Sequence, residues 1–463
     1  KTETSYEPTQ DRKEQERERK MAALPVVIPS QRIRQCIEGI GLTIACTQDV
    51  PAAIRLLAGA HTSLSIDLSL HSVLGENGFL AFTQLSEALR RNTSLTSLSL
   101  KVSFNDLRAA QMEELASALM HHPTITTLSL SLASNRIGAK GAKVLLDALT
   151  SNSVLTSLAV SLYGNRLGKK GARNVAQSFS DSSNTNLQSL LLDLGKTELG
   201  SESVLIAEVL GRNASLKSLS LMLAANQLQP VDAHRIALAL AASTSLHSLY
   251  ADLAQNRLAE HGMKPVLDAF VSNTSISHLH LNLAMNYAHS VGIQQLAESL
   301  PQFSSLDCLH VHLGFNTPDP RSTETEVPAE MKVPADHLPP LPSSPTMENT
   351  TLRLLKLFLT GNKCGPHGIK AFVNVLSRST SLTTLNLSLQ RNELLEEQVT
   401  NLVEDLTGNP VLRSLVLNLR ENKTCPEMLS EVLCRNGTLT DVSIEGCQVD
   451  LSSRTGPITK ACR

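Results

Sequence analysis

The chain has 463 residues, a formal net charge of −2 and only 3% aromatic residues. That balance argues against a nucleic-acid binder, which shows a basic face, and no apolar run reaches the roughly 18 residues of a membrane span. The length suits two or three ordinary domains, unless a repeat lets the core grow lengthwise.

Residues 1–20 carry 12 charges, six of each sign, so they read as a charged N-terminal extension and not as a secretory signal. Met21-Ala22-Ala23 has the look of a start. Helical patterns from Arg32 to Ile40 and from Pro51 to Leu57 make 21–60 an expected N-terminal cap. Leu64, Ile66, Leu68 and Leu70 form an irregular first strand.

Over 61–316 and again over 349–438 the pattern Leu-x-x-Leu-x-Leu-x-Leu-x-x-Asn recurs, with copies starting at Leu95, Ile125, Leu155, Leu187, Leu216, Leu246, Ile276, Leu306, Leu352, Leu382 and Leu412. The usual step is 30 residues. No single unit of this kind buries its own apolar face, so neighbours must stack into a solenoid. In the copy from Ile125, Leu128, Leu130 and Leu132 alternate with serines, which predicts a strand with one buried face. Asn135 follows where the chain must turn, and its amide can satisfy backbone groups that water does not reach. Asparagine fills this position in ten of eleven copies; Thr197 is the exception, where a looser turn is expected. Ile137, Gly138, Gly141, Ala142, Leu145, Leu146 and Leu149 then switch to a helical spacing. The small Gly141-Ala142 pair is expected to let the helix sit close to the strand layer. Wide helices outside and narrow strands inside predict an α/β leucine-rich-repeat horseshoe, with a concave parallel sheet and convex helices.

The segment Asn135 to Leu149, Asn-Arg-Ile-Gly-x-x-Gly-Ala-x-x-Leu-x-x-Ala-Leu, resembles the ribonuclease-inhibitor-like class of leucine-rich repeats. That class includes the sensing domains of NOD-like receptors, the Ran GTPase-activating protein and tropomodulin. The resemblance covers about residues 60–450 and implies a scaffold that binds other proteins, with partners that differ between relatives. The 30-residue unit departs from the usual pattern by one extra Leu-x pair, which predicts a longer strand.

Residues 317–348 interrupt the array with a proline-rich, acidic insertion, read as a solvated loop or as a proline-x-x-proline ligand around Leu338 to Pro345. Residues 439–463 begin one further copy and form an expected C-terminal cap and tail. None of the eight cysteines forms a Cys-x-x-Cys pair, so they read as reduced thiols of an intracellular protein. The sequons at Asn92, Asn213 and Asn273 share one place in the repeat and read as turn chemistry.

Residues between the strand leucines should face the open side of the sheet in three columns. Its N-terminal half is mostly serine and alanine. Near copies six to nine it changes to Tyr250, Asp252, His278, His280, Cys308, His310, His312, Lys356 and Phe358, expected to lie together. Three readings remain open there: an unspecialised polar surface, a partner-binding hot spot, or a metal site from His280, His310, His312 and Cys308. Asp252 near His280 could imitate an acid/base pair. No phosphate loop, nucleophile elbow or His-Glu-x-x-His occurs, so no enzyme and no cofactor is expected. The resulting expectation is a non-enzymatic scaffold for a protein partner, or a fixed subunit of a cytoskeletal or ciliary assembly, with no nucleic acid and no membrane span. The alternative is a small-GTPase regulator resembling the Ran GTPase-activating protein.

Overall fold

The computed structural model describes residues 50–69, 78–316, 351–362 and 365–450. All of them lie in one compact unit, Gly41–Arg463. The charged extension, most of the expected N-terminal cap, the proline-rich insertion and the end of the C-terminal tail lie outside the described residues.

The strands are β1 (Ser63–Asp67), β2 (Ser97–Lys101), β3 (Thr127–Ser131), β4 (Ser157–Ser161), β5 (Ser189–Asp193), β6 (Ser218–Met222), β7 (Ser248–Asp252), β8 (His278–Asn282), β9 (Cys308–His312), β10 (Leu354–Phe358), β11 (Thr384–Ser388), β12 (Ser414–Asn418) and β13 (Asp441–Glu445). They form one 13-stranded parallel sheet in sequence order. The helices are α1 (Val50–Leu57), α2 (Phe79–Arg91), α3 (Ala109–Leu119), α4 (Gly138–Ser151), α5 (Gly168–Ser180), α6 (Ser203–Gly211), α7 (Pro230–Ala241), α8 (Ala259–Ala269), α9 (His289–Ser299), α10 (Gly365–Ser377), α11 (Glu396–Thr407) and α12 (Pro426–Arg435). Repeats are numbered 1 to 11 by their turn residue: Asn105, Asn135, Asn165, Thr197, Asn226, Asn256, Asn286, Asn316, Asn362, Asn392 and Asn422.

Each strand reads x-apolar-x-apolar-x, and the pleat sends the two apolar residues to one side. Leu98, Leu128 and Leu158 are in register, as are Leu100, Leu130 and Val160. These residues and the apolar helix stripe, such as Ala142, Leu145, Leu146 and Leu149, share one continuous buried core. The odd strand positions form the open face. Every described strand is five residues long, so the extra Leu-x pair does not lengthen it. The pair lies just beyond the strand and carries the hydrogen bonding onward: Leu132 N–H donates to Ser161 O at 2.9 Å and Ser134 N–H to Tyr163 O at 2.7 Å.

The turn asparagines form a ladder through the stack. Asn135 is 6% exposed. Its Nδ2 donates to Val102 O at 3.1 Å and Leu132 O at 2.8 Å, while its Oδ1 accepts from Asn105 N at 2.9 Å and Leu107 N at 3.0 Å. One side chain thus satisfies backbone groups of two repeats. The looser turn expected at Thr197 is not seen. Thr197 is fully buried, its hydroxyl donates to Leu194 O, and Leu199 N–H still reaches Asn226 Oδ1 at 3.0 Å. The adjustment falls one repeat earlier: with no amide oxygen ahead of it, Asn165 N–H turns back to Leu162 O at 3.2 Å. Asn422, which faces Val449 in the next copy, does the same to Leu419 O at 3.2 Å.

The sequon position also carries turn chemistry. Asn273 is 7% exposed; its Oδ1 accepts from Ile276 N at 2.7 Å and its Nδ2 donates to Ala241 O at 2.7 Å in the preceding repeat. Asn92 repeats this with Leu95 N and Leu57 O.

Gly141 and Gly171 have a different cause from close approach to the strands. A Cβ on Gly141 would lie 2.8 Å from Ile137 Cγ2 and 3.0 Å from Ala109 Cα, and one on Gly171 only 2.4 Å from Leu167 Cβ. Space is set by the apolar residue four positions earlier and, at Gly141, by the helix of the preceding repeat.

Candidate functional site

The parallel register places the nine candidate residues on four adjacent strands, β7 to β10. Tyr250, His280, His310 and Lys356 are successive register partners along the middle column. His278, Cys308 and Leu354 follow in the first column, and Asp252, Asn282, His312 and Phe358 in the third. Strand spacing of about 4.8 Å makes such partners touch if their side chains are large. They do. The Tyr250 and His280 ring centroids are 4.7 Å apart and those of His280 and His310 are 5.0 Å apart, both edge to face. His312 and Phe358 lie 5.2 Å apart with tilted rings.

Burial is graded along this row. Tyr250 is 8% exposed, its hydroxyl donating to Asp252 Oδ2 at 3.4 Å. His280, His310, His312, Lys356 and Phe358 are half-buried, and His278 is exposed, with Nδ1 2.9 Å from Ser277 Oγ. Cys308 Sγ lies 3.4 Å from His310 Nε2. The Nδ1 atoms of His280 and His312 are buried and have no hydrogen-bond partner among the described residues.

Electrostatics follow from this packing. Burial, then the neighbouring His310, His312 and Lys356, pushes His280 down to about 3. Burial and the adjacent Lys356 push His310 down to about 4, and burial lowers His312. These imidazoles are neutral near pH 7. Burial raises the Cys308 thiol to about 11, so it is protonated. Burial is also the first cause that raises Asp252 to about 6, with Asp193 contributing, and it raises Tyr250.

The acid/base pair of Asp252 with His280 is not present. Register pairs Asp252 with Asn282 and gives His280 to Tyr250, so the carboxyl and the imidazole occupy different columns. Among the described residues no three of His, Cys, Asp and Glu are grouped to hold a metal ion. Cys308, the thiol closest to the row, is a free cysteine.

The sequence reading passed over the crowding on β5 to β7. Leu191, Ser220 and Tyr250 fill the middle column there, at 9%, 1% and 8% exposure, and Met222 beside them is 6% exposed. Asp193 was likewise missed; it is half-buried, and it accepts from Ser161 Oγ at 2.7 Å. Burial raises its carboxyl above the ordinary range. The visible signal was the exchange of serine for Leu191, Met222 and Tyr250 within the columns.

The fold is a leucine-rich-repeat-like solenoid. No protein-family model and no curated protein matches the chain. Among solved structures it is similar to one described as "Leiomodin-1 Actin-Binding Site 2 (ABS2)", at 21% identity and a TM-score of 0.28, over 35% of this chain and 87% of that one. A likeness of that extent transfers no partner to this solenoid. No helix among the described residues is long and apolar enough to cross a membrane.

Proposed function

We propose that this chain is a non-enzymatic, intracellular protein-interaction scaffold of the ribonuclease-inhibitor-like class, and that its partner docks on the open face over β7 to β10. The observation that carries this reading is the edge-to-face row Tyr250–His280–His310, continued by Lys356 and flanked by His312 and Phe358. Elsewhere the same face offers mostly short hydroxyl side chains, such as Ser97, Thr127 and Ser157 in register.

Neutral imidazoles suit such a surface because covering them costs far less than covering a cation. Each can donate or accept a hydrogen bond. Tyr250 is buried and forms one end of the row, while Phe358 offers a half-buried apolar anchor of the kind that concentrates binding energy. Lys356 adds one charge at the other end. No observation favours a small-GTPase regulator.

The test is a triple substitution, Tyr250→Ala, His310→Ala and Phe358→Ala, in the full chain. Partner capture from the source cell, read by quantitative mass spectrometry, should disappear while circular dichroism and the unfolding midpoint show a folded solenoid. A folded triple variant that retains the same partners would overturn the proposal.

A further inference from the structure

A second surface lies on a different edge, where each strand turns into its helix. Repeats 3 and 10 carry opposite charges at equivalent positions. Following Asn165 at steps one, four and five are Arg166, Lys169 and Lys170; following Asn392 at the same steps are Glu393, Glu396 and Glu397. All six are exposed. Arg166 and Glu393 share a left-handed backbone, at φ 46° and 58°, so the two turns present their first charges alike.

The basic set contributes little to the fold. Lys169 and Lys170 occupy the first turn of α5, where the helix dipole disfavours cations. Lys169 makes a 3.6 Å ion pair with Glu202, and Arg166 and Lys170 make none among the described residues. Glu396 and Glu397 begin α11 and also make no ion pair there.

Repeats 3 and 10 are equidistant from the boundary between repeats 6 and 7. Two antiparallel copies related by a two-fold axis at that boundary would bring repeat 3 of each against repeat 10 of the other. The same axis sets repeat 6 against repeat 7 and repeat 5 against repeat 8. Those central turns hold large apolar residues in exposed, left-handed positions: Met285, Tyr287 and Phe315, at 38%, 39% and 43% exposure and φ 56°, 61° and 57°. Tyr287 would then meet the exposed Arg257 of the other copy, a cation–π pairing, and Phe315 would meet Ala225. Repeats 2 and 11 are mixed, with Lys140 opposite Glu427 but Arg136 opposite Lys423.

We infer that this edge is a self-association surface: two copies pair antiparallel, with apolar turns at the axis and complementary charges on both wings. The occupant is a second copy because this chain itself carries the inverted charge pattern at the same spacing, at repeats equidistant from the proposed axis. This dimer does not depend on the open-face reading.

The experiment is sedimentation velocity on the full chain across a concentration series, in about 50 mM and about 500 mM salt, where the screening length shortens from about 14 Å to about 4 Å. Dimers at low salt that dissociate at high salt are expected. Lys169→Glu with Lys170→Glu should weaken association by about tenfold or more, as should Glu396→Lys with Glu397→Lys. Combining all four should restore it. Lys169→Glu relieves a dipole conflict but gives up the exposed pair with Glu202, so circular dichroism and the unfolding midpoint of each variant are read alongside to show that loss of dimer occurs in a folded chain. A monomer at every concentration in low salt, charge variants that still dimerise, or a combined variant that stays monomeric would each overturn the inference. Binding of an acidic foreign protein without self-association would also do so.

Discussion

Replacing Asn256 with alanine removes one rung of the turn ladder, and the structure sets the size of the effect. Asn256 is 2% exposed. Its Oδ1 accepts from Asn226 N and Leu228 N, both at 3.0 Å. Its Nδ2 donates to Leu223 O at 3.1 Å, Leu253 O at 2.9 Å and Ala254 O at 3.1 Å. Alanine strands two buried N–H donors, each costing about 1–3 kcal/mol when left unpaired. Part of that is recoverable, because Asn226 N–H can turn back on its own repeat as Asn165 N–H does toward Leu162 O. The expected loss is therefore about 3 kcal/mol. Asn256→Thr should cost roughly half as much, since Thr197 shows how a hydroxyl serves this turn. Urea unfolding gives the total, and hydrogen exchange should show lost protection at the amides of Asn226 and Leu228. An alanine variant within about 0.5 kcal/mol of the parent, or unchanged exchange at those two amides, would refute the reasoning.

Acid should destabilise the fold through the histidine row. His280 and His310 are depressed to about 3 and 4 in the folded chain, against about 6.5 when unfolded, so their contribution is complete above pH 6.5 and is lost as pH falls toward 4. Asp252, raised to about 6, acts in the opposite sense: its contribution is present below the unfolded carboxyl value and fades as pH rises through 6. Three depressed histidines, His280, His310 and His312, outweigh the two raised carboxyls, Asp252 and Asp193, so denaturant midpoints should drop between pH 6.5 and 4, and His280→Gln with His310→Gln should flatten that slope; an unchanged slope would contradict the burial argument. Gly171→Ala should cost about 2 kcal/mol or more by calorimetry, because of the 2.4 Å approach to Leu167 Cβ. Gly138→Ala, with φ +63° and nothing near its Cβ, should cost only about 1 kcal/mol; equal penalties would remove the steric distinction.

Much of the scaffold was legible because its signals are local and repeated. Leucines at period two, an asparagine at the turn and a helical stripe specify strand, turn and helix, and the repeat itself then aligns strands. That alignment is why the sequence alone groups Tyr250, His280, His310 and Phe358 on adjacent strands. What escaped depends on contacts between repeats. The extra Leu-x pair reads as strand, yet bends away while still hydrogen bonding. Thr197 reads as a weak turn, yet it is the Asn165 N–H of the preceding repeat that changes its partner. Asp252 and His280 are two residues apart in register, which places a carboxyl beside Tyr250 and not beside imidazole. The neutrality of the histidines follows from burial and from one another, neither of which a column of letters displays. The charge inversion between Arg166 and Glu393 is visible only when distant repeats are superposed.

Site-specific photo-crosslinking tests the recognition row most directly. A benzophenone amino acid would replace His310 in one full-length variant and Ser129 in another, both in the middle column of the open face. Irradiation in the source cell should give a discrete protein adduct from position 310 and none from position 129. Equal adducts at both positions, or none at 310 in a folded chain, would contradict the assignment of β7 to β10 as the docking surface.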